Sequence, residues 1–307
     1  MGSGAPSGGA AERGGGPSVL AMRAPVRAVR GGWPAAWERR APRLFRTDPR
    51  VLLEEDPSAE DFRAVMSIIH VGETIKITQA DRHAPADALL LDHLDLAGAT
   101  VVDIGASDGS TSVDLVAKLP DLGSYVIADL YLELSAVEVG RRVVLFDPHG
   151  TCVLVAGRRL VGWPTLSRVV RALAAPLVAR ARRRPARPVL LLGPAARRLV
   201  REDPRVSTRV HDVFQPWTGP APDVVKVANL LRRLYFGDED IRRALRVLFA
   251  GLPEGGHLLV VDNPRVPGID VRGGLYRRSG DSFVPVAQTE HPPEIADLIA
   301  SPELVRG

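Results

Sequence analysis

A short buried strand that leads directly into a glycine-containing turn is the feature that most restricts how this chain can fold. Residues 99–104 read Ala-Thr-Val-Val-Asp-Ile, an apolar and β-branched run, and the turn Gly105–Gly109 follows at once. Helical spacing then extends from Thr111 to Leu119, and a second apolar strand covers Tyr125–Asp129. This strand–turn–helix–strand series predicts parallel strands joined by a right-handed crossover, and therefore an α/β sheet.

The alternation of strands and helices returns after residue 188. Further strands are predicted at Val189–Leu192, Val206–Val213, Asp223–Asn229 and His257–Asp262. Gly274–Arg278 and Phe283–Gln288 flank a Ser-Gly-Asp turn, which predicts a closing hairpin. The predicted fold is α/β, with a Rossmann-like, seven-stranded, mostly parallel sheet and an antiparallel C-terminal hairpin.

Residues 132–188 interrupt this alternation and form a predicted insert. Val143–Phe146 and Thr151–Val155 flank the sequence Asp-Pro-His-Gly, which predicts a β-hairpin. Apolar residues then recur at helical spacing from Leu166 to Val178. We expect the hairpin to cap the ligand side of the sheet, because open α/β folds bind ligands at its carboxyl edge. The helix either packs on its own domain, which we favour, or forms a homodimer interface or lies on a membrane surface.

The chain is predicted to divide into three regions. Residues 1–32, rich in glycine, alanine and proline, form a disordered tail. Residues 33–97 form a helical lid region, with one helix capped by Ser58, and residues 98–307 form the main domain. Between two helices of the lid region lies a segment that either closes over a ligand or remains a solvated connector. If this segment closes over the ligand, the polar residues expected to face it are Lys76, Thr78 and Arg82.

Charge and cysteine content exclude several function classes. The formal net charge is +4, nearly all basic residues are arginine, as in bacterial genomes rich in GC, and aromatic residues make up 5% of the chain. Because the arginines are not interleaved with aromatic residues, no nucleic-acid partner is expected. The single cysteine, Cys152, excludes an internal disulfide, and no metal site is expected. With no apolar run near the roughly 18 residues of a membrane span and no secretion signal, we expect a cytoplasmic protein.

The loop after the first strand resembles a known cofactor motif. Asp103, Gly105 and Gly109 form the pattern D-x-G-x-x-x-G, which departs from the G-x-G-x-x-G of dinucleotide dehydrogenases. It resembles the first motif of class I S-adenosylmethionine-dependent methyltransferases, with Ser107 where many members have a second glycine. The resemblance implies that S-adenosylmethionine is the cofactor and that the loop, including Asp108, binds it.

Later motifs follow the order of the same family. Asp129 ends the second strand, where the family's acid binds the ribose hydroxyls, and Asp212 with Val213 ends the third, where adenine is bound. Leu252–Val260 resembles the family's L-x-P-G-G-x-L-L-V. A carboxylate suits the ribose position because it accepts hydrogen bonds from two vicinal hydroxyls. The resemblance covers residues 85–290 and implies a Rossmann-like methyltransferase fold.

Two residues are candidates for the catalytic step. Asn229 follows the fourth strand, and we expect it either to face the methyl acceptor or to cap the local backbone. His211 is a candidate base, or a hydrogen-bonding neighbour of Asp212. Residues 227–236 also resemble a short stretch of chemotaxis receptor methyltransferases. Methyl transfer from a sulfonium is an in-line displacement, so alignment of the acceptor matters more than a general base.

The sequence therefore predicts a methyltransferase that uses S-adenosylmethionine and acts on a small molecule. Two alternatives stay open. One is a non-catalytic module that keeps the fold and docks a protein or a membrane, and the other is a methyltransferase of protein or RNA. A homodimer is compatible with each of them.

Overall fold

The computed structural model of the chain describes residues 24–69, 82–263 and 270–301. The strands of this part are β1 (Val26–Val29), β2 (Phe45–Arg46), β3 (Thr100–Ile104), β4 (Ser124–Asp129), β5 (Glu133–Val139), β6 (Arg142–Phe146), β7 (Cys152–Ala156), β8 (Leu160–Gly162), β9 (Arg187–Leu190), β10 (Val206–Val210), β11 (Val224–Ala228), β12 (His257–Asp262), β13 (Arg272–Ser279) and β14 (Ser282–Gln288). Its α-helices are α1 (Ala35–Arg40), α2 (Ala59–Met66), α3 (Ala84–His93), α4 (Ser110–Val116), α5 (Arg168–Ala181), α6 (Pro194–Glu202), α7 (Asp238–Gly251) and α8 (Ala296–Ile299).

Seven strands form the central sheet, in the order β10-β4-β3-β11-β12-β13-β14. The pairs from β10 to β12 are parallel, whereas β13 is antiparallel to both β12 and β14. In chain order the parallel strands lie as 3-2-1-4-5, which is the order of a doubly wound fold. The predicted α/β class is confirmed. The order reverses between β3 and β11, so a crevice opens where the carboxyl ends of these two strands meet.

Helices cover both faces of the central sheet and bury its strands. Leu90 of α3 and Leu115 of α4 pack with Val101 of β3 on one face. Leu245 of α7 packs with Val102 of β3 on the other. Consecutive strand residues point to opposite faces, so a strand covered on both sides reads as a continuous apolar run. This is why the segments around β3 and β11 are recognisable in the sequence.

The other seven strands form a second sheet, in the order β2-β1-β8-β7-β6-β5-β9. Its neighbours are antiparallel apart from β1 and β2, and the predicted hairpin is the pair β6 and β7. One face packs on α2 and the 3₁₀-helix Pro49–Leu53, with Phe62, Leu145 and Trp163 in one apolar cluster. The other face carries α5. The insert therefore contains more strands, β5 to β9, than the single hairpin and helix expected from the sequence.

Two sequence predictions about this second sheet are wrong. Residues 26–29, placed in the disordered tail, form β1, which is stabilised by backbone pairing with β2 and β8. Val189–Leu192 was expected to continue the parallel sheet, but β9 at Arg187–Leu190 pairs antiparallel with β5. The apolar composition of a strand does not show which strand it pairs with. Here α5 returns the chain to the outer edge of β5, so β9 pairs there. Residues 1–23 lie outside the described residues.

The region before the central sheet contains both helices and strands. Ser58 caps α2 as predicted, since its Oγ accepts a hydrogen bond from the Asp61 N–H at 3.0 Å. β2, however, makes this region more than a helical lid, and its strand pairs in the second sheet. Lys76 and Thr78 lie outside the described residues, whereas Arg82 lies inside them.

The two sheets are joined near the crevice. The Gly193 N–H, just before α6, donates to the carbonyl of Asp108 at 2.8 Å. Arg197 of α6 donates to the carbonyl of Glu54 at 3.1 Å, and its guanidinium lies over the ring of Phe62. The second sheet is thus attached to the loop that follows β3. Among the described residues, no helix is long and apolar enough to cross a membrane.

Candidate functional site

The loop between β3 and α4 is a tight turn built from residues in the left-handed region. Gly105, Ser107 and Gly109 have φ angles of 78°, 59° and 74°. The N–H groups of Gly105 and the next residue donate to the carbonyl of Ala128 at 2.8 and 3.1 Å. A side chain does not fit at Gly109, because its Cβ would lie 2.8 Å from the Cβ of Ala196. The turn therefore presents backbone, with few side chains, at the carboxyl end of β3.

Asp103 is fully buried and binds the elements on either side of the loop. Its Oδ2 accepts hydrogen bonds from Ser112 Oγ on α4 at 2.8 Å and from Tyr125 OH on β4 at 2.9 Å. Burial, and then the charge of Asp103, hold the pKa of Tyr125 well above its usual value, so the phenol remains a donor. The structure thus places this predicted ligand residue where it supports the loop.

Asp129, at the end of β4, connects the loop to the turn before β5 of the second sheet. Its Oδ2 accepts from the Ser107 N–H at 2.9 Å, and its Oδ1 accepts from the Tyr131 N–H at 2.8 Å. The residue is buried, with 7% of its surface exposed. A carboxylate has about four acceptor positions, so one that orients the loop is also chemically able to accept ribose hydroxyls.

Asp108 lies in the same loop and is buried as well. Its Oδ1 accepts from the Ser110 N–H at 3.1 Å, at the beginning of α4. Burial lowers the pKa of Arg82, and the negative charge of Asp108 partly offsets this lowering. Asp108 therefore lies within electrostatic reach of Arg82, which belongs to the opposite side of the crevice.

His211, Asp212 and Val213 follow β10, next to the end of β4. The His211 N–H donates to the carbonyl of Asp129 at 3.2 Å, and Asp212 Oδ1 accepts from the Phe214 N–H at 3.0 Å. Val213 is buried in the core. The imidazole of His211 packs edge-on against Trp217, and burial lowers the pKa of His211. β10 ends at Val210, so Asp212 and Val213 follow the strand and do not end it as predicted, and the segment lies beside Asp129.

Asn229 lies on the other side of the crevice from His211. Strands are spaced by about 4.8 Å, and three spacings separate β10 from β11, so the two residues lie on the order of 14 Å apart. The structure therefore does not bring the two predicted catalytic residues together. Asn229 has a φ of 55°, a left-handed conformation that asparagine adopts more readily than most residues.

Asn229 instead forms a reciprocal amide pair with Asn263, which follows β12. Asn229 Oδ1 accepts from the Asn263 N–H at 2.7 Å, and Asn229 Nδ2 donates to Asn263 Oδ1 at 2.7 Å. Asn263 Oδ1 also accepts from Arg82 Nε at 3.0 Å, and Asn263 Nδ2 donates to the Arg82 carbonyl at 3.1 Å. Asn263 thus fixes the carboxyl ends of β11 and β12 to the residues before α3.

His83 completes this group of polar residues. Its Nε2 lies 2.9 Å from Asn263 Oδ1, which only accepts, and 3.2 Å from Asn229 Nδ2, which only donates, so the two contacts require opposite tautomers of the ring. Burial, and then the charges of Lys226 and Arg82, lower the pKa of His83 to about 3, so the ring is neutral near pH 7. Its Nδ1 is buried and has no hydrogen-bond partner among the described residues. In the tautomer that donates from Nε2 to Asn263 Oδ1, Nδ1 is an acceptor, and in the other tautomer Nδ1 is a donor.

Charged residues extend the same group toward α8. Arg232 Nη1 donates to the carbonyl of Asn263 at 3.2 Å, and Arg232 Nε lies 3.3 Å from Glu294 Oε2. Asp262 Oδ2 accepts from the Glu294 N–H at 2.8 Å, and burial raises the pKa of Asp262. The polar cluster consists of Arg82, His83, Asn229, Arg232, Asp262, Asn263 and Glu294.

Sequence reasoning missed most of the polar cluster. Asn229 and Arg82 were identified, whereas His83 and Asn263 were not, although Asn263 directly follows a predicted strand at the carboxyl edge. His83 lies 180 residues from its partner Asn263. The crevice thus has the loop with Asp129 on one side and the polar cluster on the other. The first side suits a nucleotide-like ligand, and the second suits polar groups of a further molecule.

Comparisons with known proteins find similar folds only among solved structures. No protein-family profile and no curated protein sequence matches the chain. The mitomycin 7-O-methyltransferase MmcR is 18% identical, with 66% of this chain and 39% of MmcR covered at a TM-score of 0.31. Human N-acetylserotonin methyltransferase in complex with SAM is 12% identical, with 66% and 38% covered at 0.32. PigF with SAH is 14% identical, with 70% and 42% covered at 0.32. In each case the match spans less than half of the other chain.

Proposed function

We propose that this chain is an S-adenosylmethionine-dependent methyltransferase that transfers a methyl group to a small molecule. The observation that carries the proposal is the hydrogen bond of 2.9 Å from the Ser107 N–H to Asp129 Oδ2. It joins the glycine-containing loop after the first parallel strand to the acid that ends the second. The strand order puts both at the switch point, where doubly wound sheets bind nucleotides.

The loop fits this cofactor by its backbone and by its acids. Left-handed residues keep this turn tight and largely free of side chains, so the methionine part of the cofactor can approach its backbone closely. In our proposal Gly105, Ser107 and Gly109 shape the loop around the cofactor, because their N–H groups already donate to the Ala128 carbonyl, to Asp129 Oδ2 and to the Ala106 carbonyl. Asp129 accepts the ribose hydroxyls, and Asp212 accepts the adenine amino group.

The polar cluster has a positioning role in this proposal. Bound S-adenosylmethionine supplies an electrophilic methyl group, and the protein must hold the acceptor atom in line at about 3–3.5 Å and exclude water. In our proposal His83 donates from Nε2 to Asn263 Oδ1, so that its Nδ1 accepts a hydrogen bond from the hydroxyl of the methyl acceptor. With a pKa of about 3, His83 orients the hydroxyl and does not retain its proton. Asn229 holds the backbone around this position through Asn263.

Cofactor binding is the first test. Titration calorimetry with the full chain is expected to show binding of S-adenosylmethionine or S-adenosylhomocysteine at sub-millimolar concentration. Asp129→Ala should abolish that binding, whereas Asp281→Ala, at the exposed turn between β13 and β14, should leave it unchanged. Absence of binding by the unmodified chain would refute the proposed function.

Methyl transfer separates the remaining alternatives. With S-adenosylmethionine labelled on the methyl group, label in small metabolites of a cell lysate supports the proposed function. Label in protein or RNA would assign a macromolecular acceptor. Binding of the cofactor without any transfer would favour a non-catalytic module. His83→Gln should raise KM for the acceptor, once the acceptor is identified, more than it weakens cofactor binding.

A further inference from the structure

Helix α5 exposes an apolar face on the outside of the second sheet. The polar residues among its 14 are Arg168, Arg171 and Arg180. One face packs on the second sheet through an apolar cluster that contains Ala181. On the opposite face, Val169 is 68% and Leu173 is 77% exposed. A helix that is apolar on nearly every side is normally covered all round, whereas the described residues leave the outer face of α5 open.

The exposed apolar surface continues from α5 onto the edge of the second sheet. A Cβ on Gly162 of β8 would lie 3.3 Å from Val170 and 3.8 Å from Val26, so the first turn of α5 lies beside β8 and β1. Leu160 lies on the same face of β8 as Gly162, because side chains alternate along a strand. The α5 patch is defined by its exposed residues Val26, Leu160, Leu166, Val169 and Leu173.

The α5 patch lies in the most basic part of the chain. Residues 148–201 contain no aspartate or glutamate, and their 12 arginines are at positions 158, 159, 168, 171, 180, 182, 183, 184, 187, 197, 198 and 201. All of these are exposed except Arg197. Within the described part of the chain, the arginines of α5 form no ion pair with a carboxylate. Glu138 of β5 is an exposed acid on a strand that contacts α5, and Arg184 donates to its carbonyl.

We propose that the α5 patch docks on an anionic lipid surface. Exposed leucine and valine enter the apolar boundary of a bilayer, while arginines around them contact phosphate groups, which is the arrangement of interfacial helices. A second copy of the chain fits less well, because a two-fold contact would bring the same arginines together. Nucleic acid would pair with the arginines but leave the leucines exposed to water. This inference does not depend on the proposed function.

Vesicle sedimentation of the full chain tests the inference. The protein is expected to sediment with vesicles of phosphatidylcholine and phosphatidylglycerol, and to stay in solution with phosphatidylcholine alone. High salt should weaken the binding without abolishing it, because the apolar contacts are not screened. The inference would be overturned if the protein sedimented equally with the two kinds of vesicle, or if it sedimented with neither.

Exposed positions allow variants that keep the fold. Val169→Ser with Leu173→Ser should weaken sedimentation about tenfold or more, since two exposed apolar side chains no longer enter the bilayer. The matched control is Val284→Ser with Val286→Ser, two exposed valines on β14, which should sediment like the unmodified chain. Equal effects of the two pairs would contradict the inference.

A second set of variants tests the charges and the other occupants. Replacing the three arginines of α5 by glutamine should reduce sedimentation with anionic vesicles, whereas glutamine at Arg39, Arg40 and Arg43 should not. A concentration-dependent dimer that Val169→Ser with Leu173→Ser abolishes would show that the patch binds a second copy. Binding of RNA that those serines leave unchanged, with no binding to vesicles, would assign the basic surface to nucleic acid. Either outcome would refute lipid docking.

Discussion

The buried ion pair between Lys226 and Asp87 provides a quantitative test of the fold. Lys226 lies in β11 and Asp87 in α3, and Nζ and Oδ1 are 2.6 Å apart. The side chains are 0% and 2% exposed. Breaking such a pair by removing one partner is far more costly than replacing both, because the remaining charge stays buried without compensation. We therefore expect Lys226→Met to be strongly destabilising.

The size of the loss follows from the protonation of Asp87. Without Lys226, the largest electrostatic cost is that of keeping the carboxyl protonated, and its ordinary pKa is 3.8. Keeping the carboxyl protonated costs about 1.36 kcal/mol for each pH unit above this ordinary pKa. The cost is therefore about 4 kcal/mol at pH 7 and about 1.6 kcal/mol at pH 5. Burial already raises the pKa of Asp87. A raised pKa in the fold favours folding below the unfolded pKa, so the variant should recover stability as the pH falls.

Urea unfolding followed by circular dichroism at pH 7 and pH 5 measures both effects. Lys226→Met should lose about 4 kcal/mol at pH 7 and about 2.7 kcal/mol less at pH 5, because the cost changes by about 1.36 kcal/mol per pH unit. The double variant Lys226→Met with Asp87→Leu should lose under about 1.5 kcal/mol at both pH values. An equal loss in the single and double variants, or a loss that does not change with pH, would refute this reasoning.

Three further predictions follow from the same structure. Gly109→Ala should lose more stability than Gly140→Ala, because both have a positive φ but only Gly109 lacks space for a Cβ; urea unfolding compares them. With the pKa of His83 lowered to about 3, this residue should cost the chain at most about 1.4 kcal/mol of stability per pH unit as the pH falls below about 6.5. His83→Gln should reduce the slope and leave the part that comes from His211 and His257, whose pKa values burial also lowers. Burial raises the pKa of Cys152 to about 11, so a thiol reagent at pH 8 should react with it only after unfolding; rapid labelling of the native chain would contradict this.

Local sequence patterns were sufficient where a segment's environment is set by its own neighbours. The strands around β3 and β11 are buried on both faces, so their apolar runs are visible without knowledge of the fold. Right-handed crossovers bring the carboxyl ends of successive parallel strands to one edge of the sheet. This is why the loop, Asp129 and the His211 segment lie side by side in the order of their strands. The cap at Ser58 likewise depends on residues only three positions apart.

Prediction failed where distant segments decide the structure. β1 is a strand because β8, more than 130 residues later, pairs with it. β9 has the composition expected of a parallel strand, but α5 carries it to the edge of β5. The polar cluster unites residues before α3 with residues after β11 and β12, so no local spacing indicates it. Asn229 was expected either to face an acceptor or to cap backbone, and its side chain bonds the backbone of Asn263.

Asp129 has two structural roles, and both affect how its variants must be interpreted. It binds the Ser107 N–H in the loop and the Tyr131 N–H at the entrance to the second sheet, so Asp129→Ala frees both segments in addition to removing a ribose acceptor. Asp129→Asn keeps one carbonyl oxygen for one of these two contacts, turns the other oxygen into an NH2 that cannot accept, and loses the charge that strengthens bonds from hydroxyls. If Asp129→Asn retains the thermal stability of the chain and still loses affinity for S-adenosylmethionine, the carboxylate acts on the ligand directly. If stability and affinity fall together in both variants, the loop has lost its shape.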